Sequence, residues 1–328
     1  MGNNTIESLD HIRLNFSPES LFMLNIALAI IMFGVALEIK LYHFKDIIKD
    51  PKSVIIGFFS QFVALPFITF LMTVLFRDFL TPTLALGMIL VAACPGGNIS
   101  NFISSLARGN VALSVSLTAI ATVGAVFFTP FNFSVWGSWF IDIYSTTDTQ
   151  TLIRPLEIDT LQMFKTVFLI LGLPLIVGIF VNTKFPGFTS KIVKPIKRLS
   201  IVIFIGIVIL ALSNNLDHFL QAVRFVFFIV LIQNAVAFAT GYGLGSLFKR
   251  PIVDRKTISI ETGIQNSGLA LVLIFNPKIF PPEMELGGMA IIAAWWGIWH
   301  IIAGLALAGY WSKFSISLNP KQTKNESI

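Results

Sequence analysis

Cysteine and charged residues are both scarce in this sequence of 328 residues. Cys94 is the only cysteine, which excludes an intramolecular disulfide, and the chain has no Cys/His cluster of the kind that binds zinc. Charged residues make up 12% of the chain, against roughly 25% in an ordinary soluble domain. The shortage of charge excludes a water-soluble fold, and the shortage of cysteine and histidine excludes redox and zinc chemistry.

Apolar residues are abundant instead, at 55% of the chain, with a mean hydropathy of +0.81. They fall in runs of about 20 residues, and at a rise of ~1.5 Å per residue each run crosses a ~30 Å hydrocarbon core. The sequence therefore predicts an all-α polytopic membrane protein with about nine transmembrane helices. We expect the spans at 21–40, 53–76, 82–106, 110–133, 162–181, 198–214, 218–247, 256–276 and 286–310.

The formal net charge of +6 follows from where the basic residues lie. With the amino terminus outside, 17 of the 23 Lys and Arg residues fall in cytoplasmic segments. Because cytoplasmic loops carry the excess of Lys and Arg, we expect the amino terminus outside and the carboxyl terminus in the cytoplasm. The basic surplus is then a consequence of topology, and we expect no nucleic-acid partner.

The order of the spans divides the chain into six segments. These are a polar amino-terminal segment (1–20), a first repeat of four spans (21–133), an external loop (134–161), an extra span with a cytoplasmic loop (162–197), a second repeat of four spans (198–310) and a cytoplasmic tail (311–328). Corresponding spans of the two repeats are five crossings apart, which is an odd number. We therefore expect inverted repeats in the membrane.

Two predicted spans are interrupted by helix breakers at corresponding places in the two repeats. The first break reads Cys94-Pro-Gly-Gly-Asn-Ile-Ser-Asn101, and the second reads Glu261-Thr-Gly-Ile-Gln-Asn-Ser-Gly268. Either break alone could be a kink that aids packing, since Gly and Pro are frequent in membrane helices. Paired breaks crowded with amides and hydroxyls favour unwound backbone that lines a transporter binding site near the midplane.

Glu261 is the one acidic residue deep inside a predicted span, and an intramembrane carboxylate is costly and usually functional. No Lys or Arg lies close to it in sequence. Its neighbours carry neutral oxygen atoms: Thr262, Gln265, Asn266 and Ser267. A carboxylate together with carbonyl, hydroxyl and amide oxygens suits a hard monovalent cation such as Na⁺.

The first repeat supplies further oxygen atoms at its break and on the next span: Asn98, Ser100, Asn101, Ser114 and Thr118. Ser114 and Thr118 are four residues apart and so share one helix face. Their hydroxyls could instead bond back to the carbonyl one turn earlier, which is common in membrane helices. Gln61, in the middle of the second span, is either an interhelical hydrogen-bond partner or a ligand.

These stretches resemble the bile acid:sodium symporter family. The matching residues are the first break running into Leu106-Ala-Arg-Gly-Asn-Val-Ala-Leu-Ser-Val115, the second break as far as Ala270 and, more loosely, Trp299-His300. The resemblance implies a bacterial-type member in the inner (plasma) membrane, with core and panel domains and two discontinuous helices that cross. It also implies a sodium-coupled symporter of a bile-acid-like, pantoate-like or other organic anion that works by alternating access. Na⁺ is then the coupling ion, and the protein is neither an enzyme nor dependent on a cofactor.

The resemblance assigns two sodium sites. The first would use Ser100, Asn101, Ser114, Thr118 and Glu261; the second would use Gln61, Glu261, Gln265 and the main-chain carbonyls of Thr262 and Ile264. For the substrate we expect Asn98, Asn266, Ser267 and His300. His300 lies in a Trp-rich span and has packing as its other interpretation. Asn98 and Ile301 depart from the Thr and Asn common in relatives, which leaves the identity of the anion open.

Two other classes of function are alternatives to symport. A sodium/proton antiporter can share the inverted repeats and crossed helices, but such proteins usually need paired carboxylates near the midplane, and this chain offers one. An intramembrane enzyme or a receptor is the other class. No nucleophile and base, and no metal-binding His/Glu pair, face each other in the predicted spans.

Overall fold

The computed structural model describes residues 18–39, 51–97, 99–147, 159–213, 216–280 and 284–317, and these ranges are helical apart from short connections. The helices are α1 (Pro18–Glu38), α2 (Pro51–Leu75), α3 (Pro82–Ala93), α4 (Ile99–Leu106), α5 (Val111–Thr147), α6 (Thr160–Lys184), α7 (Pro186–Ser213), α8 (Leu216–Leu247), α9 (Ile252–Gly263), α10 (Ser267–Ile274) and α11 (Gly287–Ser317). A short 3₁₀ turn, Arg77–Phe79, lies between α2 and α3.

Within the described ranges, α2, α5, α6, α8 and α11 each contain a stretch long and apolar enough to cross a membrane. The helix α3 is apolar but shorter. The prediction of an all-helical membrane protein is confirmed. The count of nine spans, the inverted repeats and the division into core and panel domains remain predictions, and most of the amino-terminal segment and of the tail lies outside the described residues.

The predicted external loop is partly helical, because α5 continues as far as Thr147. Aromatic side chains stabilise this extension of the helix: Phe140 is buried, and the ring of Trp136 lies 5.2 Å from that of Phe70 on α2. The helix therefore extends 14 residues beyond the predicted end of the span at residue 133. The rest of that loop, 148–158, lies outside the described residues.

The predicted cytoplasmic loop before residue 198 is also largely helical. Only Phe185 separates α6 from α7, which begins at Pro186. Proline suits the start of a helix, where its missing N–H would have no partner. Lys191 and Lys194 are exposed on the first turns of α7, so the basic residues expected in a loop lie on a helix that extends beyond the predicted span.

Both predicted helix breaks are present, and the two breaks contact each other. The chain is non-helical between α3 and α4 and again between α9 and α10. Main-chain contacts join the two segments: Gly96 bridges Gln265, Gly97 N–H donates to the Ile264 carbonyl at 2.8 Å, and Asn266 N–H donates to the Pro95 carbonyl at 2.8 Å. Unwound backbone at membrane depth must find hydrogen-bond partners within the protein, and each break supplies them for the other.

The helices α2 and α6 each contain one wider π-helical turn, at Ser60–Ala64 and Phe168–Gly172. A proline follows each turn, Pro66 and Pro174. Proline lacks an N–H and crowds the preceding turn of a regular α-helix, which a local π turn relieves. Such turns are frequent at functional sites, and the one in α2 carries Gln61, whose side chain contacts α9.

Candidate cation site at the two helix breaks

Glu261 is fully buried near the end of α9, and hydroxyl groups from α4 and α5 surround its carboxylate. Ser100 Oγ donates to Oε1 at 2.6 Å, Ser114 Oγ donates to the same oxygen, and Thr118 Oγ1 lies 3.1 Å from Oε2. Ser114 and Thr118 therefore share a face that points at the carboxylate. Back-bonding to the preceding turn is made instead by Thr122, which donates to the Thr118 carbonyl at 2.7 Å.

The hydroxyl of Thr118 faces more hydrogen-bond acceptors than its one proton can satisfy. Thr118 Oγ1 lies 3.3 Å from Asn101 Oδ1 as well as 3.1 Å from Glu261 Oε2. A hydroxyl has one proton, so it can donate to only one of these two oxygens. Such an excess of oxygen acceptors fits a bound cation. All five residues predicted for the first sodium site lie together here.

The carboxylate has no basic partner among the described residues. Ion pairs such as those of Arg77 with Asp78 and of Arg250 with Asp254 lie elsewhere, and the polar side chains around Glu261 are hydroxyls and amides. A buried charge is costly unless it is paired or coordinates a metal ion. The site thus has the chemistry of a cation site rather than that of an internal salt bridge.

The residues predicted for the second sodium site meet at the carboxyl-terminal end of α9. Gln61 Nε2 donates to the Glu261 carbonyl at 2.8 Å, and Gln265 Nε2 donates to the Thr262 carbonyl at 2.8 Å. The amide oxygens of both glutamines are buried and have no hydrogen-bond partner among the described residues. The Ile264 carbonyl accepts one bond, from Gly97 N–H, and keeps a second lone pair.

Because Gly96 has no side chain, the Gln61 amide and Glu261 can lie close to its main chain. A Cβ atom at this position would lie 2.9 Å from Gln61 Nε2 and 3.2 Å from Glu261 Oε2. At Gly97 the nearest atom, the Gln265 carbonyl oxygen, would be 3.5 Å away, which is an ordinary contact. The first glycine of the pair is therefore required by close approach to the site.

The residues predicted for the substrate are less closely grouped. Asn98 lies outside the described residues. Asn266 is half-buried, and its Oδ1 accepts from Leu269 N–H at 3.0 Å, so it caps α10; Ser267, the first residue of that helix, is buried. His300 is buried on α11, and within the described chain no hydrogen bond joins it to either break.

Asn234 on α8 is a contributor that the sequence analysis missed. It is fully buried, and its Nδ2 donates to the Gly263 carbonyl at 2.7 Å, at the end of α9. The available signal was a pair of adjacent amides, Gln233 and Asn234, within an apolar span. It is the same kind of signal that singled out Gln61.

Comparison with known proteins places this arrangement in a family. Residues 25–222 match the Sodium Bile acid symporter family. The uncharacterized sodium-dependent transporter YocS of Bacillus subtilis (strain 168) is 32% identical over 309 residues, covering 92% of this chain and 88% of that protein. The probable chloroplastic sodium/metabolite cotransporter BASS1 of Arabidopsis thaliana is 30% identical over 303 residues, covering 92% of this chain and 68% of that protein.

A mammalian relative is matched over a shorter length. The P3 protein of Bos taurus is 32% identical over 243 residues, covering 74% of this chain and 48% of that protein. The family match ends before Glu261, but the alignments that cover 92% of the chain extend across both breaks. The names of the two longer matches are those of transporters and not of enzymes. The chain belongs to the Sodium Bile acid symporter family, a family of sodium-dependent membrane transporters.

Proposed function

We propose that the protein is a sodium-coupled symporter that carries an organic anion across the plasma membrane by alternating access. The observation that carries this proposal is the Glu261 carboxylate, which is buried where the two helix breaks meet. Hydroxyl groups surround the carboxylate, and a side-chain amide binds the main-chain carbonyl of Glu261 near the end of α9. The carboxylate has no basic partner among the described residues. Hard oxygen ligands around one uncompensated charge suit Na⁺.

The charge of the loaded site favours an anionic substrate. Two sodium ions beside one carboxylate leave roughly one excess positive charge near the midplane. The helices α4 and α10 each start directly after a break, and the amino terminus of a helix carries partial positive charge. This positive charge favours an organic monoanion as the substrate, and bile-acid-like and pantoate-like carboxylates are the first candidates.

The binding of sodium and the binding of substrate are coupled because the ions would connect helices that also form the substrate crevice. The first ion would link α9, through Glu261, to α4 and α5, through Ser100 and Ser114. The second would hold the end of α9 to α2, through Gln61. Ions that fix the two breaks also fix the helix ends that face the substrate, so ion and anion must raise each other's affinity by the same factor.

The orientation and the moving parts belong to the same proposal. The distribution of basic residues supports an amino terminus outside and a carboxyl terminus in the cytoplasm. The helices α3, α4, α5, α8, α9 and α11 pack around the breaks, whereas α1 packs mainly against α6 and α7. Rocking of these two groups of helices against each other would expose the substrate crevice alternately to each side of the membrane.

The decisive variant is Glu261→Gln, which keeps the shape of the side chain and removes its charge. We expect NaCl, compared with KCl at the same ionic strength, to raise the melting temperature of the wild-type protein in detergent. We expect this sodium-specific rise to disappear in the variant, because an ion that binds the folded state stabilises it by mass action. Asp78→Asn, at an exposed site in the short connection after α2, is the matched charge control.

Transport is measured in proteoliposomes with radiolabelled taurocholate and pantoate as probes. We expect an inward sodium gradient to drive uptake of at least one probe by the wild-type protein and by Asp78→Asn, and no such uptake by Glu261→Gln. Sodium-dependent stabilisation and uptake by Glu261→Gln at the wild-type level would refute the assignment of the sodium sites.

The same vesicles distinguish symport from sodium/proton antiport. The other buried acid of α9, Asp254, accepts from Ser53 Oγ at 2.6 Å and Asn110 Nδ2 at 2.9 Å and lies 3.7 Å from Arg250 Nη2. The side chains of the described chain that act on the Glu261 carboxylate are those of Ser100, Ser114, Thr118 and Gln61, and none of them is acidic, which favours symport. A sodium gradient that moves protons without an organic anion, read with an internal pH dye, would favour the antiporter instead.

A further inference from the structure

Side-chain amides cap three successive main-chain carbonyls at the end of α9. Gln61 binds the carbonyl of Glu261, Gln265 binds that of Thr262, and Asn234 binds that of Gly263, at 2.8, 2.8 and 2.7 Å. The last carbonyls of a helix have no partner within the helix and carry partial negative charge. Two of these amides belong to the second sodium site assigned by family resemblance, and the third, Asn234, does not.

Each capping amide leaves its own oxygen without a partner. Gln61 Oε1, Gln265 Oε1 and Asn234 Oδ1 are all buried and have no hydrogen-bond partner among the described residues. A carbonyl oxygen can only accept, so the nitrogen of each amide must face the helix end and its oxygen must point away. Since the two polar atoms of an amide are about 2.3 Å apart, each oxygen lies within roughly 5 Å of the carbonyl that it caps.

We propose that Asn234 is a further residue of the second sodium site, where its Oδ1 supplies an oxygen ligand to the ion while its Nδ2 holds the Gly263 carbonyl in place. This inference rests on the proposed function. The negative end of the α9 dipole favours a cation at this position. The side chain is 0% exposed, so it serves an ion within the protein and not a substrate in an open crevice.

The close packing of α8 against α9 fixes the position of Asn234. Phe238, one turn later on α8, would contact a Cβ atom at Gly263, and Ser259 Oγ donates to the Phe238 carbonyl at 2.7 Å. At Gly241, one turn further, a Cβ atom would meet the Ile258 carbonyl oxygen at 2.6 Å. These contacts hold the main chain of α8 against α9 next to Asn234, and so fix the point from which its side chain reaches the Gly263 carbonyl.

The test compares Asn234 with its neighbour in sequence. Gln233 is equally buried, and its Oε1 is equally without a partner among the described residues, but its Nε2 donates to the Met88 carbonyl on α3, at 3.0 Å. Asn234→Leu and Gln233→Leu each remove one buried amide and keep the approximate volume. The sodium concentration that gives half of the full thermal stabilisation is measured in detergent for the full chain, with KCl holding the ionic strength constant.

We expect Asn234→Leu to raise the half-saturating sodium concentration about tenfold, the scale of loss typical for removing a supporting group of a metal site. We expect Gln233→Leu to change the half-saturating sodium concentration less than about twofold, because the Gln233 amide binds α3, the helix before the first break, and not the end of α9. Asn234→Asp, which keeps an oxygen and adds charge, should lower the half-saturating concentration at pH 8, since ligand charge tightens the binding of hard cations.

The outcomes separate this inference from the proposed function. A wild-type protein that sodium does not stabilise more than potassium would refute the proposed function itself. If the wild-type protein responds to sodium and Glu261→Gln does not, a wild-type half-saturating concentration in Asn234→Leu would mean that its oxygen binds only water, and the inference fails. Should Asn234→Leu not fold, a wild-type sodium response in Asn234→Asp overturns the inference in the same way.

Discussion

The two broken helices meet at one point but contribute different things to it. The first break contains Pro95-Gly96-Gly97, and the helix that follows it supplies the hydroxyl of Ser100. The second break has no proline, and it supplies the carboxylate of Glu261 and the amide of Gln265. One break therefore provides space and a neutral hydroxyl group, whereas the other provides charge and a helix end.

The helices that follow the breaks differ in the same sense. Every residue of α10 is buried. In α4, Ser100, Ile103 and Ser104 are buried, but Phe102 is 58% and Leu106 is 42% exposed. The helix α4 thus has a polar face towards Glu261 and an apolar face outside the protein core.

The difference between the breaks can be tested most severely at the glycine pair. Gly96→Ala would place a methyl group 2.9 Å from Gln61 Nε2 and 3.2 Å from the Glu261 carbonyl oxygen. The Gln61 amide would have to shift from its position at the Glu261 carbonyl, and both oxygens of Glu261 that face Gly96 would be crowded. We expect the half-saturating sodium concentration in the thermal-shift titration to rise about a hundredfold, the upper end of the range for disrupted metal sites.

Gly97→Ala is the control for that experiment, because its methyl group would make only an ordinary contact at 3.5 Å. We expect its sodium titration to stay close to the wild type. Equal effects of the two alanines would contradict the view that only Gly96 is needed for close approach, and would point to flexibility of the whole break as the property that matters.

The hydroxyl contribution of the first break is tested with two serines of α4. Ser100→Ala removes a hydroxyl that lies 2.6 Å from the Glu261 carboxylate and that we propose as a ligand of the first ion. We expect the half-saturating sodium concentration to rise about tenfold, the scale of loss typical for removing a group of a metal site.

Ser105→Ala, on the exposed face of the same helix, should leave the titration unchanged. Sodium uptake of the two proteins in proteoliposomes checks the same ranking with transport as the readout. If Ser105→Ala weakened sodium binding as much as Ser100→Ala, the loss would come from the stability of α4 and not from the contact with Glu261.

The sequence predicted much of this fold, because hydrophobic runs and helix breakers act locally. The existence of both breaks followed from Pro95-Gly96-Gly97 and from the polar run after Glu261. The helix α5 continues 14 residues past the predicted end of its span, and contacts such as those of buried Phe140 that accompany this extension are not visible in a local pattern. The short link at Phe185 was missed because basic residues mark the side of a membrane and not the end of a helix.

The site was predictable only in part. Glu261 stands out from composition alone, because an acid inside an apolar run is rare. The roles of Gln61 and of the pair Ser114 and Thr118 stayed open from the residues themselves and were assigned by resemblance to a family. Asn234 was missed because its contact is with the Gly263 carbonyl, 29 residues further along the chain. No spacing pattern in the sequence indicated this contact, and Asn234 is not among the site residues that the family resemblance assigns.

The smallest effect is expected at Asn266, where the second break turns into α10. Its Oδ1 accepts from Leu269 N–H, and loss of such a cap costs about 1 kcal/mol. Asn266→Ala should therefore lower the melting temperature by no more than a few degrees, while Asn266→Ser, which can still cap, should keep it. An unchanged melting temperature in the alanine variant would show that the cap does not contribute to stability.

The same two variants ask whether Asn266 also contacts the substrate. A cap needs only a short side chain with an acceptor oxygen, whereas recognition of an anion would use the amide N–H groups that serine lacks. If Asn266 has both roles, Asn266→Ser keeps wild-type stability and sodium response but loses affinity for the transported anion. Uptake by Asn266→Ser at wild-type affinity would restrict this residue to capping, and the second break would then contribute its charge and its helix end to the ions alone.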